Sequence, residues 1–171
     1  MRVNELLVEG YGRLPDLVRG AVEGLSADQL HWAPGPGANS IGWLVWHLTR
    51  VQDDHITELL DGAQQLWVTG DFAKGFGLEA RAHDTGYGHT PQRVAGVRPE
   101  SAKALLSYFE AVHERTHAFV AQLKEEDLDR IVDERWDPPV SLGVRLVSVL
   151  DDDVQHAGQA AYVRGLLPNH G

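Results

Sequence analysis

The stretch Asn39-Ser40-Ile41-Gly42-Trp43-Leu44-Val45-Trp46-His47-Leu48, carried on through Val51 to Leu59 and Leu60, decides the architecture. Ile41, Leu44, Val45, Leu48, Val51, Leu59 and Leu60 recur at the i, i+3, i+4 spacing of an amphipathic helix, and Asn39 or Ser40 offers an N-cap. A helix with so broad an apolar face must bury it against other elements. Three further segments have the same period. One runs from Val3 to Leu25, with Leu6, Leu7, Leu14, Leu17, Val18, Ala21 and Val22 in its stripe. Gly10, Gly12 and Pro15 interrupt it and predict a kink near Arg13. Another runs from Pro99, placed in the first helical turn, to Leu123. The last runs from Ser141 to Leu166, between the stop signal Asp137-Pro138-Pro139 and Pro168, with Leu142, Leu146, Val149, Leu150 and Val163 on its inner side. Four such segments predict an all-α fold, a four-helix bundle forming a single domain over residues 1–171.

Three connections join them. His31 to Ala38 reads as a rigid, irregular turn. Arg130 to Pro139 has room for a short extended piece. Asp61 to Arg98 is the longest, and it is rich in Gly and carries Trp67, Phe72, Phe76, His83, Tyr87 and His89. A connection of this length is either functional or a crossover anchored by its aromatics, and it can serve as both. It is long enough to let the second and third helices run parallel.

Composition narrows the chemistry. The chain has 171 residues and no cysteine, which excludes disulfides, zinc–thiolate sites, iron–sulfur clusters and a cysteine nucleophile. Any metal must bind through His, Asp, Glu, Gln or water. A net charge of −10 without a basic run argues against nucleic acid as a partner. No apolar stretch reaches the roughly 18–20 residues of a membrane span. Met1-Arg2-Val3-Asn4-Glu5 lacks the order of a signal peptide, so a cytoplasmic location is expected. Lys74, Lys103 and Lys124 are the only lysines among 15 basic residues; the rest are Arg.

The chemistry centres on Asp151-Asp152-Asp153-Val154-Gln155-His156-Ala157-Gly158-Gln159 in the fourth segment. Asp152 and His156, four residues apart, share a helix face that also holds Val149 and Val163. A carboxylate and an imidazole on an apolar face need a partner or a metal, and this i, i+4 pair forms a two-ligand clip. His47, inside an apolar run on the second helix, reads by itself as a satisfied core histidine. Facing Asp152 and His156, it completes three protein ligands and leaves positions open, the layout of a catalytic metal site. The i, i+4 pair His113 and His117 lies in a mostly polar stretch and reads as a solvated or boundary face. His55, after Asp53-Asp54 near a helix C-terminus, reads as surface. No Ser-His-Asp set or phosphate-binding loop is present.

The stretch Asn39 to Leu48 leading into Val51-Gln52-Asp53-Asp54-His55, and the stretch Asp152 to Gln159 leading to Arg164, together resemble the DinB-like superfamily, in its actinobacterial branch related to mycothiol-dependent S-transferases and maleylpyruvate isomerase. The similarity extends over nearly the whole chain, including Asp84-Thr85-Gly86-Tyr87-Gly88-His89-Thr90-Pro91. The resemblance implies an up-down-down-up bundle, a homodimer, and zinc or nickel held by His47, Asp152 and His156. Asp152 stands where relatives carry Glu or His. Gln159 stands where many close relatives have a second His, and a hydrogen-bonding role behind the ligands suits it better than ligation. Relatives use a low-molecular-weight thiol as cosubstrate, and the Arg-rich composition favours mycothiol over bacillithiol.

Three functions follow as expectations. The first is a divalent-metal-dependent thiol transferase or isomerase acting on a small electrophile. The second is a non-catalytic metal- or small-molecule-binding bundle, motivated by the departures at Asp152 and Gln159. The third is a metal-assisted hydrolase, for which the sequence offers no clear general base.

Overall fold

The computed structural model describes residues 1–168. Its helices are α1 (Val3–Tyr11), α2 (Leu14–Val22), α3 (Ala27–His31), α4 (Ile41–Glu58), α5 (Leu66–Thr69), α6 (Pro91–Gly96), α7 (Ala102–Val120) and α8 (Leu142–Gly165). A two-stranded antiparallel hairpin, β1 (Ile131–Asp133) with β2 (Val140–Ser141), precedes α8. The fold is all-α, as the periodicity requires.

The three longest helices start in the same way. The hydroxyls of Ser40, Ser101 and Ser141 accept from the backbone N–H of Trp43, Ala104 and Val144 at 3.2, 3.1 and 3.4 Å, each satisfying one of the orphan donors of a first turn. The first predicted segment divides where Gly12 and Arg13 interrupt it, giving α1 and α2. Leu6 and Leu17 of its expected stripe are exposed, whereas Leu14, Val18, Ala21 and Val22 are buried.

One expectation needs correction, and one helix is new. Pro99 does not open the third long helix; Ser101 caps it. Pro99 instead packs against α4, where a Cβ on Gly42 would lie 2.7 Å from its ring, and its carbonyl takes a 2.8 Å hydrogen bond from His31 Nε2. Helix α3 was not foreseen. It is too short to show a period, but Ser26 and Gln29 form the capping box that marks its start.

Side-chain bridges show how the long helices run. Arg50 reaches Tyr108 and Thr57 meets Arg115, so α4 and α7 run in the same sense. His47 lies against His156 and His55 against Arg145, so α4 and α8 run in opposite senses. The core between them includes Leu44, Leu48, Tyr108, Phe109, Leu146 and Val149, all at most 1% exposed.

The 61–98 crossover is ordered by short helices and by buried aromatics. Trp67 and Phe76 are fully buried and meet Tyr108 of α7, whereas Tyr87 is exposed. The packing-anchor role therefore holds for the first half of the crossover. The second half does something else.

Candidate metal centre

α4 and α8 bring His47, Asp152 and His156 together, with one ligand atom from each lying within 4.8 Å of the others. Donors about 2.1 Å from a shared ion sit roughly 3.4 Å apart, a spacing that side-chain rotation reaches from here. His47 is buried, and Asp152 and His156 are partly so. Buried Asp152 Oδ2 has no hydrogen-bond partner among the described residues, while Oδ1 lies 3.5 Å from His156 Nε2. A carboxylate with an orphaned oxygen, grouped with two imidazoles, is a donor set suited to a divalent cation. The group can therefore bind a divalent metal.

Both imidazoles are held by their other nitrogen. His47 Nδ1 is 2.5 Å from the carbonyl oxygen of Thr85. A carbonyl only accepts, so Nδ1 carries the proton and Nε2 keeps its lone pair. His156 Nδ1 is 2.9 Å from Gln159 Oε1, which leaves Nε2 for Asp152 or a metal. Trp43 stacks on His47 with ring centroids 4.6 Å apart and fixes the ring plane. Burial lowers the His47 pKa from 6.5, favouring the neutral ligand form. The hydrogen bond to Asp152 raises that of His156.

The second half of the crossover is a template for this geometry. Three α4 side chains on one stripe bind it. Trp43 Nε1 donates to His89 Nδ1 at 3.2 Å, His47 donates to Thr85, and Arg50 donates to the carbonyls of Asp84 and Ala82 at 3.0 and 2.6 Å. His89, whose Nδ1 accepts from an indole, gives its Nε2 proton to Asp84 at 2.8 Å. Gly86 lets the loop lie close. Its φ is +95°, and a Cβ there would sit 2.8 Å from His47 Nδ1 and 2.9 Å from the Trp46 ring.

Arg50 anchors the arrangement. It is fully buried, and it also binds Gln65, Tyr108 and Asp53 at 2.8, 3.2 and 3.5 Å. Asp53, equally buried, accepts from the N–H groups of Leu66 and Trp67. One ion pair on α4 thus ties down both the start of the crossover and the segment that orients His47.

The remaining sequence candidates separate. His113 is half-buried and His117 exposed, their rings 6.2 Å apart, which fits a boundary face. His55, expected at the surface, is partly exposed, with 35% of its side chain accessible. It lines a cavity of about 700 Å³ together with Asp152, Arg145, Asp133, Val149 and Trp136. The reason is Arg145, 90 residues away, whose guanidinium draws His55 into the α4–α8 contact at 2.7 Å. Asp153 is fully buried with both carboxylate oxygens unpartnered among the described residues, and burial pushes its pKa far up. It is a core residue behind the site, and the triple-Asp run gave no signal separating it from its neighbours.

Known proteins agree with this architecture. The family model of the DinB superfamily matches residues 11–160. A crystal structure of a conserved protein of Enterococcus faecalis superimposes with a TM-score of 0.87 at 32% identity, over 97% of each chain. No curated protein matches the chain.

Proposed function

Starting from a chain that belongs to the DinB superfamily, we propose that it is a divalent-metal-dependent thiol transferase or isomerase. His47, Asp152 and His156 hold zinc or nickel, and a low-molecular-weight thiol of the mycothiol type is the cosubstrate. The observation that carries this reading is the three-ligand set with both imidazoles turned by backbone or amide partners.

A divalent ion bound there would lower the pKa of a coordinated thiol to near neutrality. The chain's own part is orientation and enclosure. Thr85 and Gln159 fix the two imidazole tautomers. Trp43 shields the His47 side from water. Three protein ligands leave room for an exogenous group, as a catalytic site needs. The absence of cysteine suits a thiol supplied from outside.

The same family fold supports a transferase more than a hydrolase, because among the described residues no carboxylate beside the ligand set is free and placed as a general base. Asp153 is sealed in the core. Homodimer formation and a cytoplasmic setting belong to this proposal as expectations from the family.

The test is turnover of metal-loaded protein across a panel of thiols and electrophiles. Thiol-dependent turnover that is lost in His156→Ala supports the reading. Stoichiometric metal without turnover of any pair favours a binding bundle. Thiol-independent hydrolysis lost in the same variant identifies a hydrolase.

A further inference from the structure

The cavity beside Asp152 has an uneven hydrogen-bonding capacity. Asp152 Oδ2 aside, which belongs to the metal ligand set, its carboxylate acceptors are occupied. Asp133 takes the backbone N–H and the Nε of Arg135 on Oδ1, and Arg135 Nη2 and Arg145 Nη2 on Oδ2, at 2.9–3.0 Å. Ser148 gives its proton to the Val144 carbonyl. Its donors are not so committed. Arg145 Nη1 lies 2.7 Å from His55 Nδ1 and 3.1 Å from Glu58 Oε2. A guanidinium only donates, so His55 Nδ1 must accept, and the ring proton resides on Nε2. Glu58, at 3.8 Å from the same Nδ1, is too far to hold a proton there. His55 Nε2–H has no protein partner among the described residues. Trp136, 66% exposed on the hairpin, adds an indole N–H and an apolar face, and Val51, Val140 and Val149 complete an apolar floor.

We propose that this cavity binds a carbonyl compound with an apolar body, and that His55, locked as the Nε2–H tautomer by Arg145, donates to the carbonyl oxygen. A ligand bringing acceptors meets the free donors; one bringing only donors leaves those donors unsatisfied. The cavity shares Asp152 with the metal ligand set, so a carbonyl held there lies beside the metal centre. The assignment of this compound as the electrophile rests on the thiol-chemistry reading, whereas its binding does not. His55 would polarise the carbonyl and take up charge that develops on its oxygen.

The experiment uses the full chain labelled with 15N at His and Trp, with metal content measured on the same preparation. Acetophenone is the probe and ethylbenzene its acceptor-free counterpart. The free protein should show His55 with an unprotonated Nδ1 and a protonated Nε2. Acetophenone should shift the His55 Nε2 and Trp136 indole resonances saturably, and ethylbenzene should leave His55 Nε2 unmoved. Read from Trp136, His55→Phe should weaken acetophenone about tenfold, and His55→Gln, which keeps an N–H donor, should stay within about threefold. An Nδ1–H tautomer, or equal acetophenone affinity in wild type and His55→Phe, overturns the proposal. Stoichiometric metal with no His55 response sinks the subsite and spares the metal reading. A His55 response in protein that takes up no metal does the reverse.

Discussion

His47 donates its Nδ1 proton to the backbone carbonyl of Thr85 at 2.5 Å, across 38 residues of chain. The metal-facing nitrogen of an α4 histidine is thus set by a loop, and the loop comes this close because residue 86 is glycine. Gly86→Ala should force a positive φ on a residue with a Cβ and press that carbon against His47 and Trp46. A stability loss of about 1–3 kcal/mol is expected, with zinc affinity down about 10–100-fold. Chemical denaturation and zinc titration measure the two separately.

Arg50 and Asp53 are a pair with no solvent exposure. Removing one partner leaves an uncompensated buried charge, so Arg50→Met should lose about 3–5 kcal/mol in urea unfolding. Arg50→Lys should rescue little. A single ammonium cannot reach Asp84, Ala82, Gln65, Tyr108 and Asp53 from one position.

Zinc binding should strengthen as pH rises through and above 6.5. The hydrogen bond to Asp152 raises the His156 pKa above that value, so a metal must displace its proton. His47 contributes little there, because burial holds its pKa below 6.5. Metal-free stability has the opposite sign at His156. Its protonated pairing stabilises the fold fully below pH 6.5 and is lost as pH rises through the raised pKa. Calorimetric zinc titrations from pH 5.5 to 8.5 should show uptake coupled to release of close to one proton at the low end, fading at the high end.

Gln159 bonds His156 Nδ1 at 2.9 Å from an exposed position. Gln159→Leu should leave the melting temperature almost unchanged and weaken zinc about 10–100-fold. Equal zinc affinity in the variant would remove Gln159 from the site.

The grouping of His47, Asp152 and His156 was legible in the sequence. Asp152 and His156 share a face with Val149, so their pairing follows from helical period, and the family resemblance implied His47 of the apolar run as their partner. What the sequence hid depends on contacts made across long separations. Arg50 carries no local signal that sets it apart in its helix, yet it is the fully buried anchor of the crossover. The run Asp84 to Pro91 was visible as a motif, but its role in orienting His47 needs the loop's path. His55 is partly exposed, as its surface reading allows, but its contact with Arg145 was hidden because that residue sits on another helix. Pro99 looked like a helix start because proline suits that place, and the nearby Ser101 won by offering a hydroxyl to Ala104.

The central claim is that His47, Asp152 and His156 hold one divalent ion. Elemental analysis of untagged protein purified without chelator, beside His47→Ala and His156→Ala, tests it most directly. The account predicts about one zinc or nickel per chain in the wild type and a loss of at least tenfold in both variants. Undiminished stoichiometric metal in both variants, or none in the wild type after soaking with zinc and nickel, would contradict it.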